Sequence, residues 1–396
     1  MFIRLLIYFS QSQCRGLYCP MSYIWLRCLL MMRFPEHILK QRLSRLKEEL
    51  ARRGIDAIMV RTRSTFTYLT GTKWLRPALL VPVDGEPIAF IAKNEEEGFL
   101  ERTWIRSIVT YTDGGDLMAK VSGTIRGYGY KVMGLDYSLD RDAYAVFYEM
   151  FRRLNPTVKV VDVGQMIMEM RMIKDEHELN AIRQAGRIAV RAMERVLSAI
   201  EEGVSETDIA AEAYSVLYRQ GSEEPHVYVN IGPNPRIHAE PFRDNIARKG
   251  VFVTVTIGAD YNWYYANMTR IIFVGEPEGI ARRAIECTDE IYSAAKELTK
   301  GGVKFIDIMK KLDKIYAKYE LVDHRVIGYV HGVGLQIEET PITTILPRDR
   351  FMQVKPGMAI ALVHAPIVLK GYGQVKREDT FIVREDGILE PVTHET

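Results

Sequence analysis

Four stretches place polar residues in otherwise apolar, strand-like sequence: GPNPRIHAEP (232–241), VTVTIGADYNWYYANMTRIIFVG (253–275), HGVGLQIEETP (331–341) and PGMAIALVHAPIVLKGYGQVKREDTFIV (356–383). An unperturbed imidazole titrates near pH 6.5, so His238 can give and take a proton close to neutrality. Glu338 and Glu378 can hold an amine or cationic group, or orient a water. His331 opens a glycine-rich turn, where it can either take part in chemistry or simply bond to the backbone. Thr256 and Asn267 stand eleven residues apart, near the end of one hairpin strand and the start of the next. Aspartates in those two places would share cations across the pair, whereas Thr and Asn bring no charge.

Two kinds of unit are needed to position such groups. Ile38, Leu39, Leu43, Leu46 and Leu50 recur at helical spacing up to Gly54, and residues 55–60 then read as a strand. ALLVPVDGEPIAFIA is strand, Asp-Gly turn and strand. SIVTYTD, KVMGLDYS and VKVVDV are further short strands, with helix-like AYAVFYEMFRRL among them. Residues 33–163 therefore predict a small α/β domain with a mixed sheet. Asp175 with Glu178 three places on marks a capped helix start. Helices at 176–201 and 205–220 precede a hairpin at 252–274; helices at 279–299 and 305–319 precede strands from 325 to 384. Helix, helix, strands, then the same again is an internal structural repeat. Two such halves, within 164–396, can join into one sheet with helices on one face and a cleft on the other.

The chain has 396 residues and a net charge of +2, which implies two domains and leaves no electrostatic footprint for nucleic acid. No apolar run reaches the roughly 20 residues of a membrane-spanning helix. Cys14, Cys19 and Cys28 crowd the start and only Cys287 lies in the body, a pattern expected in the reducing cytoplasm. Residues 1–32 hold an apolar stretch and Arg4 but no small-residue cleavage site, and read as an extension upstream of a start near Met31 or Met32.

In order and spacing the four stretches resemble the motifs of the pita-bread hydrolases: creatinase, prolidase, aminopeptidase P and methionine aminopeptidase. The prolidase and aminopeptidase P branch is the most similar. The resemblance runs from about residue 33 onward. It implies an α/β creatinase-like N-terminal domain followed by a pita-bread α+β domain with internal pseudo-two-fold symmetry. It also implies a homodimer acting on a small molecule or short peptide. The family's peptidases hold two divalent ions. Carried over position by position, their ligands fall on Thr256, Asn267, His331, Val363 and Glu378. Valine cannot coordinate, and Thr256 and Val363 are good strand residues in their own right. His364 follows Val363, but successive strand residues face opposite sides, so only a bulge would turn it inward. Asp260, close to the hairpin turn, is expected to be solvated.

The resulting expectation is a site with no cofactor, or at most one divalent ion weakly held by His331, Glu378 and Asn267. The family's earlier catalytic histidine matches His238, one residue out of step, and its second histidine after H-G-x-G-L is replaced by Glu338. On this resemblance the chain is expected to be a metal-independent, creatinase-like hydrolase of a small C–N or peptide-like substrate. His238 would be the general acid–base, His331, Glu338 and Glu378 would share the catalysis, and Asn267 and Glu339 would touch substrate. A non-catalytic binder and a residual metal-dependent Xaa-Pro dipeptidase are the alternatives. Glu378 can also pair with Lys376 or Arg377, and Glu338 can be an ordinary solvated loop acid.

Overall fold

The computed structural model describes residues 33–137, 143–237 and 240–393, so the opening segment lies outside the described residues. The chain divides after Gly164 into two compact units. In the first, helix α1 (Glu36–Arg52) buries Leu39, Leu43, Leu46 and Leu50, the apolar stripe its 3.6-residue period creates. Six strands follow: β1 (Ala57–Val60), β2 (Leu79–Pro82), β3 (Ile88–Ala92), β4 (Ser107–Tyr111), β5 (Val132–Leu135) and β6 (Lys159–Asp162). Their order is β4-β3-β2-β1-β5-β6, antiparallel through β1–β2–β3 and parallel in the outer pairs. The mixed sheet matches the alternation of hairpin and helical crossover in the sequence.

The second unit opens with α2 (Glu176–Leu197), started by a capping box in which Asp175 accepts from the Glu178 amide and Glu178 reaches back. Helix α3 (Glu206–Arg219) starts the same way on Ser205 and Asp208. Strand β7 (His226–Ile231) and the hairpin β8 (Phe252–Tyr261) and β9 (Tyr264–Phe273) complete the first half. Asn262 and Trp263 both take positive φ, the two-residue turn whose twist suits a hairpin. The second half repeats the pattern with α4 (Gly279–Leu298) and α5 (Phe305–Lys318). Its strands are β10 (Val330–Gly332), β11 (Glu339–Ile342), β12 (Ala359–Leu362), β13 (Ile367–Leu369), β14 (Gly373–Val375), β15 (Glu378–Val383) and β16 (Leu389–Pro391). Strands of both halves form one antiparallel sheet, β11-β10-β12-β15-β9-β8-β7, with β16 beside β15, while β13 and β14 form a separate ribbon.

The strand period decides which side chains meet the helices. Val253, Val255, Ile257 and Ala259 of β8 pack with α2 and α3, and Ile360, Leu362, Phe381 and Val383 pack with α4 and α5. Their alternates, among them Thr256, Ala361 and Glu378, face the other side. This side carries Glu378, Thr269 and Lys376, polar residues of the candidate site. No helix among the described residues is long and apolar enough to cross a membrane.

Candidate active site

The register brings the anticipated residues together across five strands, from β10 to β8. Thr256 pairs with Thr269, Thr269 with Glu378, and His331 with Ala361, which pairs in turn with Thr380, two residues beyond Glu378. His331, Thr269 and Glu378 are almost wholly buried. Both oxygens of Glu378 are engaged. Oε2 accepts from Thr269 Oγ1 at 2.7 Å and lies 2.8 Å from Lys376 Nζ. Oε1 lies 3.1 Å from His331 Nε2 and 3.4 Å from His364 Nδ1. Thr256 does no more than share a hydroxyl hydrogen bond with Thr269, at 2.8 Å.

His364 is the residue that strand alternation had turned away. Strand β12 ends at Leu362, and Val363 adopts φ +60°, a left-handed conformation costly for a β-branched residue. The amides of Val363 and His364 both donate to Tyr329 O, at 2.6 and 3.2 Å, so two residues face one on the segment that leads into β10. This is a bulge, and it corrects two expectations at once. Val363 is not a regular strand residue; it packs in the helix-side core, while His364 swings onto the polar face. There its ring meets that of His331 edge to face, centroids 4.4 Å apart, and its Nε2 lies 3.6 Å from Glu338 Oε1. Glu338 is thus drawn to the cluster rather than standing in solvent; its side chain is 22% exposed.

The charges settle one another. Burial alone would raise the Glu378 carboxyl, but the Lys376 ammonium and the two imidazole hydrogen bonds hold it well below the usual carboxylate range. Burial pulls His331 down, yet the bond to Glu378, the charges of Glu338 and Glu378 and the Gly332 carbonyl outweigh it and raise its pKa. His364 is pulled down to about 3 by burial and by the neighbouring Lys376 and His331. An ionised Glu378 and a neutral His364 follow. Lys376 is a residue sequence reasoning passed over as a mere charge partner. Its signal was its place two residues before Glu378, on the same face of an extended chain.

The other expected residues are more varied. Asn267 donates Nδ2 to Ile337 O at 2.8 Å, and its buried Oδ1 has no hydrogen-bond partner among the described residues. Glu339 is buried in an ion pair with Arg171, with Lys174 Nζ at 3.8 Å and the Gln336 amide at 2.9 Å. Gly334 is glycine of necessity, since a Cβ there would stand 2.7 Å from that carboxylate. Asp260, expected in solvent, is buried and accepts from Ser222 Oγ and the amides of Glu223 and Glu224. Arg377 pairs with Asp289, not with Glu378. His238 lies outside the described residues, but the loop around it is anchored. Buried Glu206 accepts from the amides of Ile231 and Phe242, from Asn245 Nδ2 and from Arg236.

His331, Glu338 and His364 offer ligand atoms within 4.8 Å of one another. Two imidazoles and a carboxylate form a donor set suited to a borderline divalent ion with an open position. The His331 Nδ1 contact with Gly332 O, at 2.9 Å, fixes that ring as metal-bound imidazoles are usually fixed. By contrast, the carried-over pair Thr256 and Val363 supplies no charge.

Comparison with known proteins agrees with this architecture. An Xaa-Pro dipeptidase from Pyrococcus furiosus is 25% identical over 351 residues, 88% of this chain and 97% of that protein. A creatinase from Bacillus sp. (strain B-0618) is 24% identical over 381 residues, 89% of this chain and 90% of that protein. The crystal structure of the prolidase from Pyrococcus horikoshii superposes with a TM-score of 0.79 at 23% identity, covering 90% of this chain and 99% of that one. The Creatinase/Prolidase N-terminal domain profile matches residues 42–173, and that of metallopeptidase family M24 matches residues 180–385. These matches and the His331–Glu338–His364 cluster overturn the expectation of a site without a cofactor, or with no more than a loosely held ion. With a pita-bread domain behind a creatinase-like one, the chain belongs to metallopeptidase family M24.

Proposed function

We propose that this protein hydrolyses short peptides or peptide-like amides on the polar face of the second unit's sheet, with Xaa-Pro dipeptides the first substrates to test. What supports the reading most is the buried cluster of His331, His364, Glu338 and Glu378 in a chain of this family. A divalent ion on His331, Glu338 and His364 would, when bound, polarise the scissile carbonyl and acidify a water. His238, from the loop that Glu206 anchors, is the general acid–base that hands a proton to the leaving nitrogen. Asn267 Oδ1 is an acceptor in want of a donor, suited to a substrate N–H. Glu378 supports His364 through its Nδ1 and holds Thr269 and Lys376 through Oε2, while its contact with His331 Nε2 is the one that a bound ion would replace. The active species is a homodimer in the cytoplasm. Release of proline from Ala-Pro and Gly-Pro by the metal-loaded protein is the test. Turnover that His238→Ala lowers by about 10²–10⁴ supports the assignment. Turnover indifferent to that change overturns the role of His238, and absence of turnover on any dipeptide overturns the function.

A further inference from the structure

The structure assigns the ion site of this chain to His331, Glu338 and His364, with His364 recruited by the left-handed turn at Val363. The inference deepens the proposed function, resting on the same face of the sheet but not on any choice of substrate.

Three observations carry it. First, the chain takes a costly conformation where it brings in an imidazole. Strain in a β-branched residue persists only when its surroundings enforce it, and it gathers where a side chain must be aimed. Here Val363 N and His364 N crowd on Tyr329 O, Val363 fills the helix-side core, and His364 reaches the polar face. One residue of slip replaces a side chain that cannot coordinate with one that can. Second, both imidazoles have outer partners of the kind that orient metal ligands. His331 Nδ1 lies 2.9 Å from Gly332 O, and His364 Nδ1 lies 3.4 Å from Glu378 Oε1. Third, the spacing is close to what an ion requires. Ligands on a tetrahedral ion with bonds near 2 Å stand roughly 3.3 Å apart. His364 Nε2 and Glu338 Oε1 are 3.6 Å apart, and the whole set lies within 4.8 Å. The remaining closure falls to Glu338, the least buried of the three.

Lys376 is the natural objection, since its ammonium lies 3.4 Å from His364 Nδ1. It is paired at 2.8 Å with Glu378, however, so that pair is neutral as a unit and Glu338 remains to balance the ion. The donor set also selects the metal. Imidazole-rich sites suit Zn²⁺ and Co²⁺, while all-oxygen sites suit Mn²⁺ and Mg²⁺. This chain is accordingly assigned a preference for Zn²⁺ and Co²⁺ over Mn²⁺.

Purified full-length protein is titrated with Zn²⁺, Co²⁺ and Mn²⁺, and bound ion is measured by elemental analysis after desalting. His364→Gln and Glu338→Gln are measured beside it, and circular dichroism checks their fold. Each substitution is expected to weaken Zn²⁺ binding by about a hundredfold or more, at least the upper end of what losing a ligand's outer partner costs. Because His364→Gln can fail to fold, the unaltered protein is also loaded with Cu²⁺ and its coordinated imidazoles are counted by pulsed electron paramagnetic resonance. Two imidazoles support the assignment; one or none overturns it. So does a His364→Gln variant that binds Zn²⁺ undiminished, or a protein that retains no ion at all. A protein that binds Zn²⁺ through two imidazoles yet cleaves no dipeptide refutes the proposed function alone, and the two ideas thereby fail separately.

Discussion

Lys376 and Glu378 form an ion pair in which both partners are at most 2% exposed. Breaking such a pair strands a charge, whereas replacing both partners removes the problem. Lys376→Met is therefore expected to cost about 3 kcal/mol in urea unfolding, and Lys376→Met with Glu378→Gln to recover more than half of that loss. Equal losses in the single and double variants would show that the pair is not coupled. His364 gives a test in pH. Its pKa falls from an ordinary imidazole value to about 3 on folding, so below about pH 6.5 the unfolded chain binds a proton that the folded one refuses. Its contribution is complete above that value and is lost as pH falls towards 3. His331, raised on folding, works in the opposite sense, supporting the fold at low pH and losing that support as pH rises through its folded value. It is common to both proteins when His364→Gln is compared with the parent. The parent should lose stability between pH 6.5 and 5 more steeply than His364→Gln, by up to about 1.4 kcal/mol per pH unit. Parallel curves would contradict the shift.

At the scale of elements, the end of β12 decides how His364 is presented, and Glu206 ties down the segments on either side of His238. A residue at φ +60° is strained whatever its side chain, unless it is glycine. Val363→Ala loses packing and keeps the strain, while Val363→Gly loses packing and relieves it. The usual order of alanine over glycine should therefore reverse, with Val363→Gly more stable by about 1 kcal/mol in thermal or urea unfolding. A more stable Val363→Ala would mean that the bulge is absent. Glu206, fully buried at the first turn of α3, gathers donors from Ile231, Arg236, Phe242 and Asn245. Glu206→Ala should cost roughly 3 kcal/mol and speed amide exchange across 231–245, since several buried donors lose their acceptor together. Unchanged exchange in that loop would dissociate Glu206 from the placement of His238.

For the whole molecule, much of the architecture was legible because its signals are periodic. The helices expected at 176–201, 205–220, 279–299 and 305–319 run from Glu176 to Leu197, Glu206 to Arg219, Gly279 to Leu298 and Phe305 to Lys318. The family resemblance grouped Thr256 and Glu378 as positions of one site, and the register sets them on one face through Thr269. Two things escaped, for physical reasons. The strand period fails at a bulge, and a left-handed valine leaves no mark in the sequence, so His364 was turned the wrong way. Burial is a tertiary property, so the sequence reads Asp260 as solvated, leaves Glu338 between a catalytic and a solvated role, and makes Lys376 an incidental neighbour. The placement of His364 and Glu338 is what turns a site expected to be emptied of ligands into one for which a different set is proposed.

We propose that this remodelled set serves metal-dependent hydrolysis. Protein stripped with a strong chelator, then reloaded with Zn²⁺ or Co²⁺, is assayed on Ala-Pro for released proline. No turnover is expected in the stripped protein, with turnover restored on reloading and little restoration in His364→Gln. Equal turnover before and after stripping, or full restoration in His364→Gln, would contradict it.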